Sequence, residues 1–66
     1  MAIAAHEDRF ETLRYVSTVT GLKTSAIYKR IKSGSFPKPI KLGYASRWSR
    51  REIQDWMSAR KEERAA

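Results

Sequence analysis

The chain has 66 residues, a formal net charge of +7 and no cysteine. This length allows one small domain with little room for a deep substrate pocket, and the absence of cysteine excludes disulfides and thiolate zinc sites. The longest apolar run, residues 2–5, is much shorter than a signal peptide or a membrane span requires. We therefore expect a compact apolar core, a reducing cytoplasmic location, no cofactor, no metal and no membrane partner.

The charge is distributed unevenly along the chain. All seven acidic residues lie at positions 7–11 or 52–63, so none falls within positions 12–51. That segment has a charge of +10 from ten basic residues: Arg14, Lys23, Lys29, Arg30, Lys32, Lys38, Lys41, Arg47, Arg50 and Arg51. A segment that repels itself in this way is typical of a surface that binds a polyanion. A solubilising surface charge is the plainer alternative.

The first elements in chain order are an arm and a short helix. Residues 1–11 lack a sustained apolar face and predict a flexible N-terminal arm or weak helix, with His6 in solvent. The spacing of Leu13, Val16 and Val19 then predicts an amphipathic helix that ends at Gly21.

A second helix is predicted from Thr24 or Ser25, whose hydroxyls suit an N-cap, to Gly34. Ile27 and Ile31 share its buried face. Two short helices joined across residues 20–23 indicate a helix-turn-helix, whose second helix enters the major groove of DNA. Hydroxyls and cations on its outer face can contact bases and phosphates. The candidate DNA-binding residues are Lys23, Thr24, Ser25, Tyr28, Lys29 and Lys32, and an ordinary surface helix is the alternative.

The next segment predicts a small basic hairpin, which we call the wing. Pro37 and Pro39 exclude a helix, and residues 40–42 and 46–48 alternate as two strands around a turn at 43–45. A wing presents cations to the DNA backbone or minor groove beside the recognition helix. The candidate contacts are Lys38, Lys41, Tyr44, Ser46, Arg47, Arg50 and Arg51. As alternatives, Tyr44 packs within the protein and Arg47 pairs with an acid of the third helix.

The third helix is predicted from a capping box at Ser49 and Glu52 to about Glu63. We expect Trp48 and Trp56 to pack in the core rather than to stack on single-stranded bases. The expected domain spans 12–63, with an arm at 1–11 and a tail at 64–66. Its fold class is mainly α with a small β-hairpin, a winged helix-turn-helix. Because no acid in the central segment could orient a base and no glycine-rich phosphate loop is present, we expect no enzyme activity.

These residues resemble the AlpA-like family of phage and prophage DNA-binding regulators, which is related to excisionases. The resemblance covers about residues 13–60 and rests on Thr20-Gly21-Leu22, Ile27-Tyr28, Ile31, Gly34, Phe36-Pro37, Pro39, Leu42-Gly43, Arg47-Trp48, Glu52-Ile53 and Trp56. It implies a winged helix similar to the MerR-type DNA-binding domain, with a recognition helix over about 24–32 and a wing around 41–47. The chain departs from the family pattern at Lys23 and Thr24, at Tyr44 in place of a basic wing-tip residue, and at Arg30 in place of an apolar one.

The leading hypothesis is a sequence-specific double-stranded DNA-binding protein that regulates transcription of mobile-element genes. It would be bacterial or phage-encoded, nucleoid-associated, and assembled on DNA as a dimer or head-to-tail multimer because one copy reads few base pairs. One alternative is a recombination directionality factor that binds repeats at an attachment site and bends DNA, with an integrase as its protein partner. An alternative of another class is a basic adaptor for RNA or an acidic protein.

Overall fold

A computed structural model describes residues 8–65 of the chain, which form three helices and a three-stranded antiparallel sheet. The elements are β1 (Phe10–Glu11), α1 (Leu13–Thr20), α2 (Thr24–Lys32), β2 (Ile40–Leu42), β3 (Ala45–Ser49) and α3 (Arg50–Ala65). This architecture confirms the predicted fold class, a mainly helical winged helix-turn-helix.

The turn between α1 and α2 is fixed by local hydrogen bonds. The Thr12 hydroxyl caps α1 by accepting from the Tyr15 N–H at 3.2 Å. Gly21 ends the helix with φ +76°, and its N–H donates to the Ser17 carbonyl at 2.9 Å. The Ser17 hydroxyl in turn donates to the Leu22 carbonyl at 2.6 Å. The predicted end of this helix at Gly21 is confirmed, because the left-handed backbone needed there suits glycine.

The start of α2 differs from the prediction. The helix begins at Thr24, but its N-cap is Lys23, which makes no side-chain capping bond. The predicted hydroxyl cap is wrong because Thr24 and Ser25 already lie inside the helix, and a lysine side chain has no acceptor to offer. The helix ends at Lys32, ahead of Gly34, with Ser33 as its C-cap. The two hydroxyls of the first turn are consequently not used as caps.

The wing is a tight hairpin. In β2 and β3, Leu42 pairs with Ala45 and Lys41 pairs with Ser46. The turn therefore contains Gly43 and Tyr44, and Ala45 belongs to β3 rather than to the predicted turn. Gly43 has φ +67°, as expected for the first central residue of a type II′ turn. In the described part of the chain, only glycines have a positive φ.

The N-terminal arm predicted over 1–11 is corrected for its last residues. Phe10–Glu11 forms β1, which pairs with Ser49 and Trp48 on the other edge of β3. Two residues are too few to show strand alternation, and their partner lies far along the chain, so no local pattern revealed the strand. The tail predicted at 64–66 is likewise wrong at its start, because α3 continues to Ala65. The predictions for residues 1–7, including His6, and for residue 66 lie outside the described residues.

The core contains one buried apolar side chain from each of the three helices, one from β3 and one from the loop at 33–39. Its buried members are Val16, Ile27, Phe36, Trp48 and Ile53. The indole N–H of the fully buried Trp48 donates to the Pro37 carbonyl at 3.1 Å. Trp56 is partly buried, with its ring centroid 4.8 Å from that of Phe36. The core prediction for both tryptophans is confirmed, and their contacts attach the loop at 33–39 to β3 and α3.

Candidate nucleic-acid interface

The outer face of α2 contains four of the predicted contact residues. At about 100° per residue, Ser25, Tyr28, Lys29 and Lys32 lie within an arc of roughly 100° on the side opposite Ile27. All four are exposed, as are Lys23 and Thr24 at the helix start. Among residues 8–65, no lysine of α2 or its N-cap makes an ion pair. This face therefore presents hydroxyls and cations that have no charged partner in the fold.

Tyr28 connects this face to the wing. Its ring meets the buried Trp48 ring edge-on, with a centroid separation of 6.2 Å and an interplanar angle of 69°. Tyr28 nevertheless stays exposed at the surface. Because Trp48 lies on β3, this aromatic pair holds the recognition helix against the base of the wing.

The wing presents Lys41, Tyr44 and Arg47. The Lys41 ammonium donates to the Ser46 hydroxyl at 2.9 Å across the hairpin, so the predicted contact Ser46 already has a partner. Arg47 donates to the Ser46 carbonyl at 2.9 Å, and within residues 8–65 it makes no ion pair with an acid of α3. Tyr44 is fully exposed at the tip, so the alternative in which it packs inside the protein is wrong.

Two other predicted contacts lie among acidic neighbours. Arg50 is turned toward the N-terminal part of the fold, with its guanidinium 3.8 Å from the Glu11 carboxylate and 5.5 Å from the Tyr15 ring centroid. Lys38 is exposed, but it borders an open groove that also contains Glu52 and Asp55. Arg50 thus has an acidic partner, and Lys38 shares its groove with two acids without forming an ion pair in the described residues.

Arg51 lies at the start of α3, where its backbone is held by an acid that sequence reasoning missed. One carboxylate oxygen of Asp8 accepts from the Ser49 hydroxyl at 2.6 Å and the other from the Arg51 N–H at 3.0 Å. These bonds, the one from Ser49 first, lower the pKa of Asp8 below its ordinary value of 3.8. The Ser49 hydroxyl accepts from the Glu52 N–H at 3.2 Å, so the predicted capping box is half formed. The side chain of Arg51 remains exposed.

Arg30 has a structural contact that explains its place in α2. Its guanidinium carbon lies 5.9 Å from the Trp56 ring centroid, and that of Arg60 lies 5.1 Å from the same ring. Cation–π contact allows a charged residue where the family resemblance suggests an apolar one. Arg30 is therefore directed to α3 and away from the arc that contains Lys29.

The described residues show neither a metal centre nor a membrane span. Within 8–65, no group of three or more His, Cys, Asp or Glu side chains is arranged to hold a metal ion. No helix in that part of the chain combines the length and the apolar composition needed to cross a bilayer.

Comparison with known families gives one informative match. The sequence model described as prophage CP4-57 regulatory protein (AlpA) matches residues 9–61. Comparisons with curated proteins and with solved structures give no match. The matched segment extends from the residue before β1 into α3 and includes the whole of α2 and the wing.

Proposed function

The chain belongs to the prophage regulatory protein (AlpA) family, and on that basis we propose that it binds double-stranded DNA at specific sequences. Its role would be to regulate transcription of phage, prophage or related mobile-element genes in the cytoplasm. In this proposal the protein acts by binding DNA and catalyses no reaction.

The observation that carries this proposal is the unpaired charge of the recognition helix and wing. Of the ten basic residues in the acid-free segment, Arg50 is the one with an ion pair within residues 8–65. Arg30 of α2 is directed to the Trp56 ring of α3. Six of the remaining cations are exposed or half-exposed and lie on the outer face of α2, at its N-cap, on the wing or at the start of α3: Lys23, Lys29, Lys32, Lys41, Arg47 and Arg51. Charges kept for stability alone would be expected to have acidic partners, whereas charges kept for a polyanion would not.

The shape of the domain fits a duplex. We propose that α2 lies in the major groove, with Ser25, Tyr28 and Lys29 toward the base edges and phosphates. Lys41 and Arg47 of the wing would contact the neighbouring backbone or minor groove. The longest dimension of the described part of the chain is 35 Å, which is close to one turn of B-DNA, about 34 Å. One copy is therefore about as long as a single turn of the duplex.

We further propose that several copies act together. A domain of this size covers few base pairs, so specificity in a genome requires repeated or inverted half-sites. The same arrangement serves a transcriptional regulator and a recombination directionality factor that works with an integrase. The position of the natural sites distinguishes the two: sites at a promoter indicate regulation, and direct repeats in an attachment site indicate recombination.

The test is a selection of duplexes from a random-sequence library with the purified full chain. We expect enrichment of a shared motif, and we expect Lys29→Ala to weaken binding to the enriched duplex at unchanged melting temperature. Equal affinity for RNA and for duplexes of any sequence would contradict the proposal and favour a basic adaptor. Binding constants that do not depend on salt would contradict any polyanion partner.

A further inference from the structure

The tip of the wing differs in chemistry from its base. Tyr44 is fully exposed and Leu42 is 45% exposed, so both present apolar surface to solvent. The cations Lys41 and Arg47 lie behind them on the two strands. Because Tyr44 packs against nothing in the described residues, its ring contributes nothing evident to the stability of the fold. An exposed aromatic ring at the end of a basic hairpin indicates a role in binding.

The backbone position of Tyr44 is fixed by the hairpin. The turn has two residues, and the strands on either side are paired as Leu42 with Ala45 and Lys41 with Ser46. The Lys41 ammonium adds a side-chain bond to Ser46 across the strands. At its other end β3 contains the fully buried Trp48 and pairs with β1. The hairpin therefore presents Tyr44 from a scaffold that is anchored in the core.

We infer that Tyr44 is a wedge that enters the minor groove and inserts its ring between two adjacent base pairs of the bound duplex. This inference rests on the proposed function. Apolar side chains inserted from the minor groove unstack a base step and kink the duplex by about 20–90° toward the major groove. The ring supplies a stacking surface for the bases, while Lys41 and Arg47 are placed to contact the phosphates on either side of the groove.

Tyr44 at the tip of the wing and the cations at its base should have different effects on DNA binding. Lys41 and Arg47 contribute to the salt dependence of binding, because each phosphate contact releases counterions. Tyr44 contributes affinity and distortion of the DNA without changing that dependence, because its side chain is neutral. Replacing a surface residue that does not contact DNA would change neither the affinity, nor the distortion of the DNA, nor the salt dependence of binding.

The experiment uses the full chain and a duplex of about 30 bp that contains the selected motif. In a series of such duplexes, 2-aminopurine replaces one base at a time, since its fluorescence rises when it is unstacked. A donor and an acceptor dye at the two ends report the bend. The variants are Tyr44→Phe, which keeps the ring, Tyr44→Ala, which removes it, and Ser58→Ala on the exposed surface of α3 as the control.

We expect the fluorescence of 2-aminopurine to rise at one base step when the wild type, Tyr44→Phe or Ser58→Ala binds. With Tyr44→Ala, the fluorescence at that step should stay at its level in the free duplex. Tyr44→Ala should also lose most of the bend and at least about fivefold in affinity, the lower end of what base–aromatic stacking contributes, at an unchanged salt slope and melting temperature.

Equal fluorescence and bend with wild type and Tyr44→Ala would overturn the wedge, and so would wild-type binding that unstacks no step. Either result would leave the proposed function intact as long as binding stays salt-dependent and sequence-specific. If the wild type bound no duplex at all, the proposed function and the wedge would both fail.

Discussion

Replacing Lys29 by alanine tests whether the exposed face of α2 contacts DNA. Apart from Arg30, which is directed to Trp56, six exposed or half-exposed cations on α2, its N-cap, the wing and the start of α3 lack an ion pair within residues 8–65. If five or six of them each neutralise one phosphate, the slope of log affinity against log salt is about −5, at about −0.9 per contact. A rise from about 50 to 200 mM salt should then weaken wild-type binding by about 1,000-fold.

Lys29→Ala should reduce the magnitude of that slope by about 0.9, because it removes one phosphate contact. The assay is fluorescence anisotropy of a labelled duplex over a series of salt concentrations. Lys61→Ala is the matched control, since Lys61 is also an exposed helical lysine without an ion pair in the described residues, but lies on α3. Arg47→Ala and Arg50→Ala form a second matched pair, in which only the first should change the slope.

An equal slope change for Lys29→Ala and Lys61→Ala would refute the reasoning. It would mean that the protein acts as a diffuse positive charge, with no preferred face toward the DNA. A slope near zero for the wild type would refute it as well.

The remaining predictions concern stability. Trp48→Ala should cost about 3–5 kcal/mol, which is comparable with the whole stability expected for a domain of this size, so circular dichroism should show a largely unfolded chain. Ser49→Ala should lower the free energy of unfolding in urea by at least about 1 kcal/mol, because it removes both the N-cap of α3 and the hydroxyl that donates to Asp8. Gly43→Ala should cost about 1–2 kcal/mol at its positive φ and lower the melting temperature. Asp8 has a lowered pKa in the folded state, so its stabilising bonds are complete above its ordinary pKa of 3.8 and are lost as the pH falls through the folded value. Asp8→Asn should therefore show a smaller fall in melting temperature on acidification than the wild type, and an identical fall would contradict this role.

The helices and the wing could be predicted because their signals are local. Gly21 is a helix stop that acts through its own backbone, and Pro37 excludes a helix wherever it occurs. The alternation around Gly43 likewise describes a hairpin whose two strands are neighbours in sequence. For the same reason the outer face of α2 was predictable, since Ile27 and Ile31 mark the side that must be buried.

The features that escaped prediction depend on contacts between the two ends of the chain. Phe10 is a strand residue only because Ser49 lies opposite it. Asp8 holds the start of α3 through Ser49, 41 positions away, which no local pattern can indicate. Arg50 was predicted as a DNA contact because it lies at the base of the wing in the acid-free segment, and β1 brings Glu11 beside it. The distribution of charge along the sequence therefore cannot show which cations receive a counter-charge from a distant strand.

The short strand β1 also determines where the basic surface ends. By pairing with β3 it carries Asp8 and Glu11 to the start of α3, where Glu11 lies beside the Arg50 guanidinium and Asp8 accepts from the backbone N–H of Arg51. Neither acid reaches the cations of α2 or the wing, such as Lys29 and Arg47, which stay without an acidic partner in the described residues. The separation of charge along the sequence is thus preserved in space, and the fold uses acids to hold α3 without neutralising the face proposed to bind DNA. Glu11→Gln keeps the backbone pairing of β1 with β3 but removes the counter-charge of Arg50, so it should extend the positive surface to Arg50. We expect stronger binding to an unrelated duplex in the anisotropy assay at a nearly unchanged melting temperature, and unchanged non-specific binding would contradict this role of Glu11.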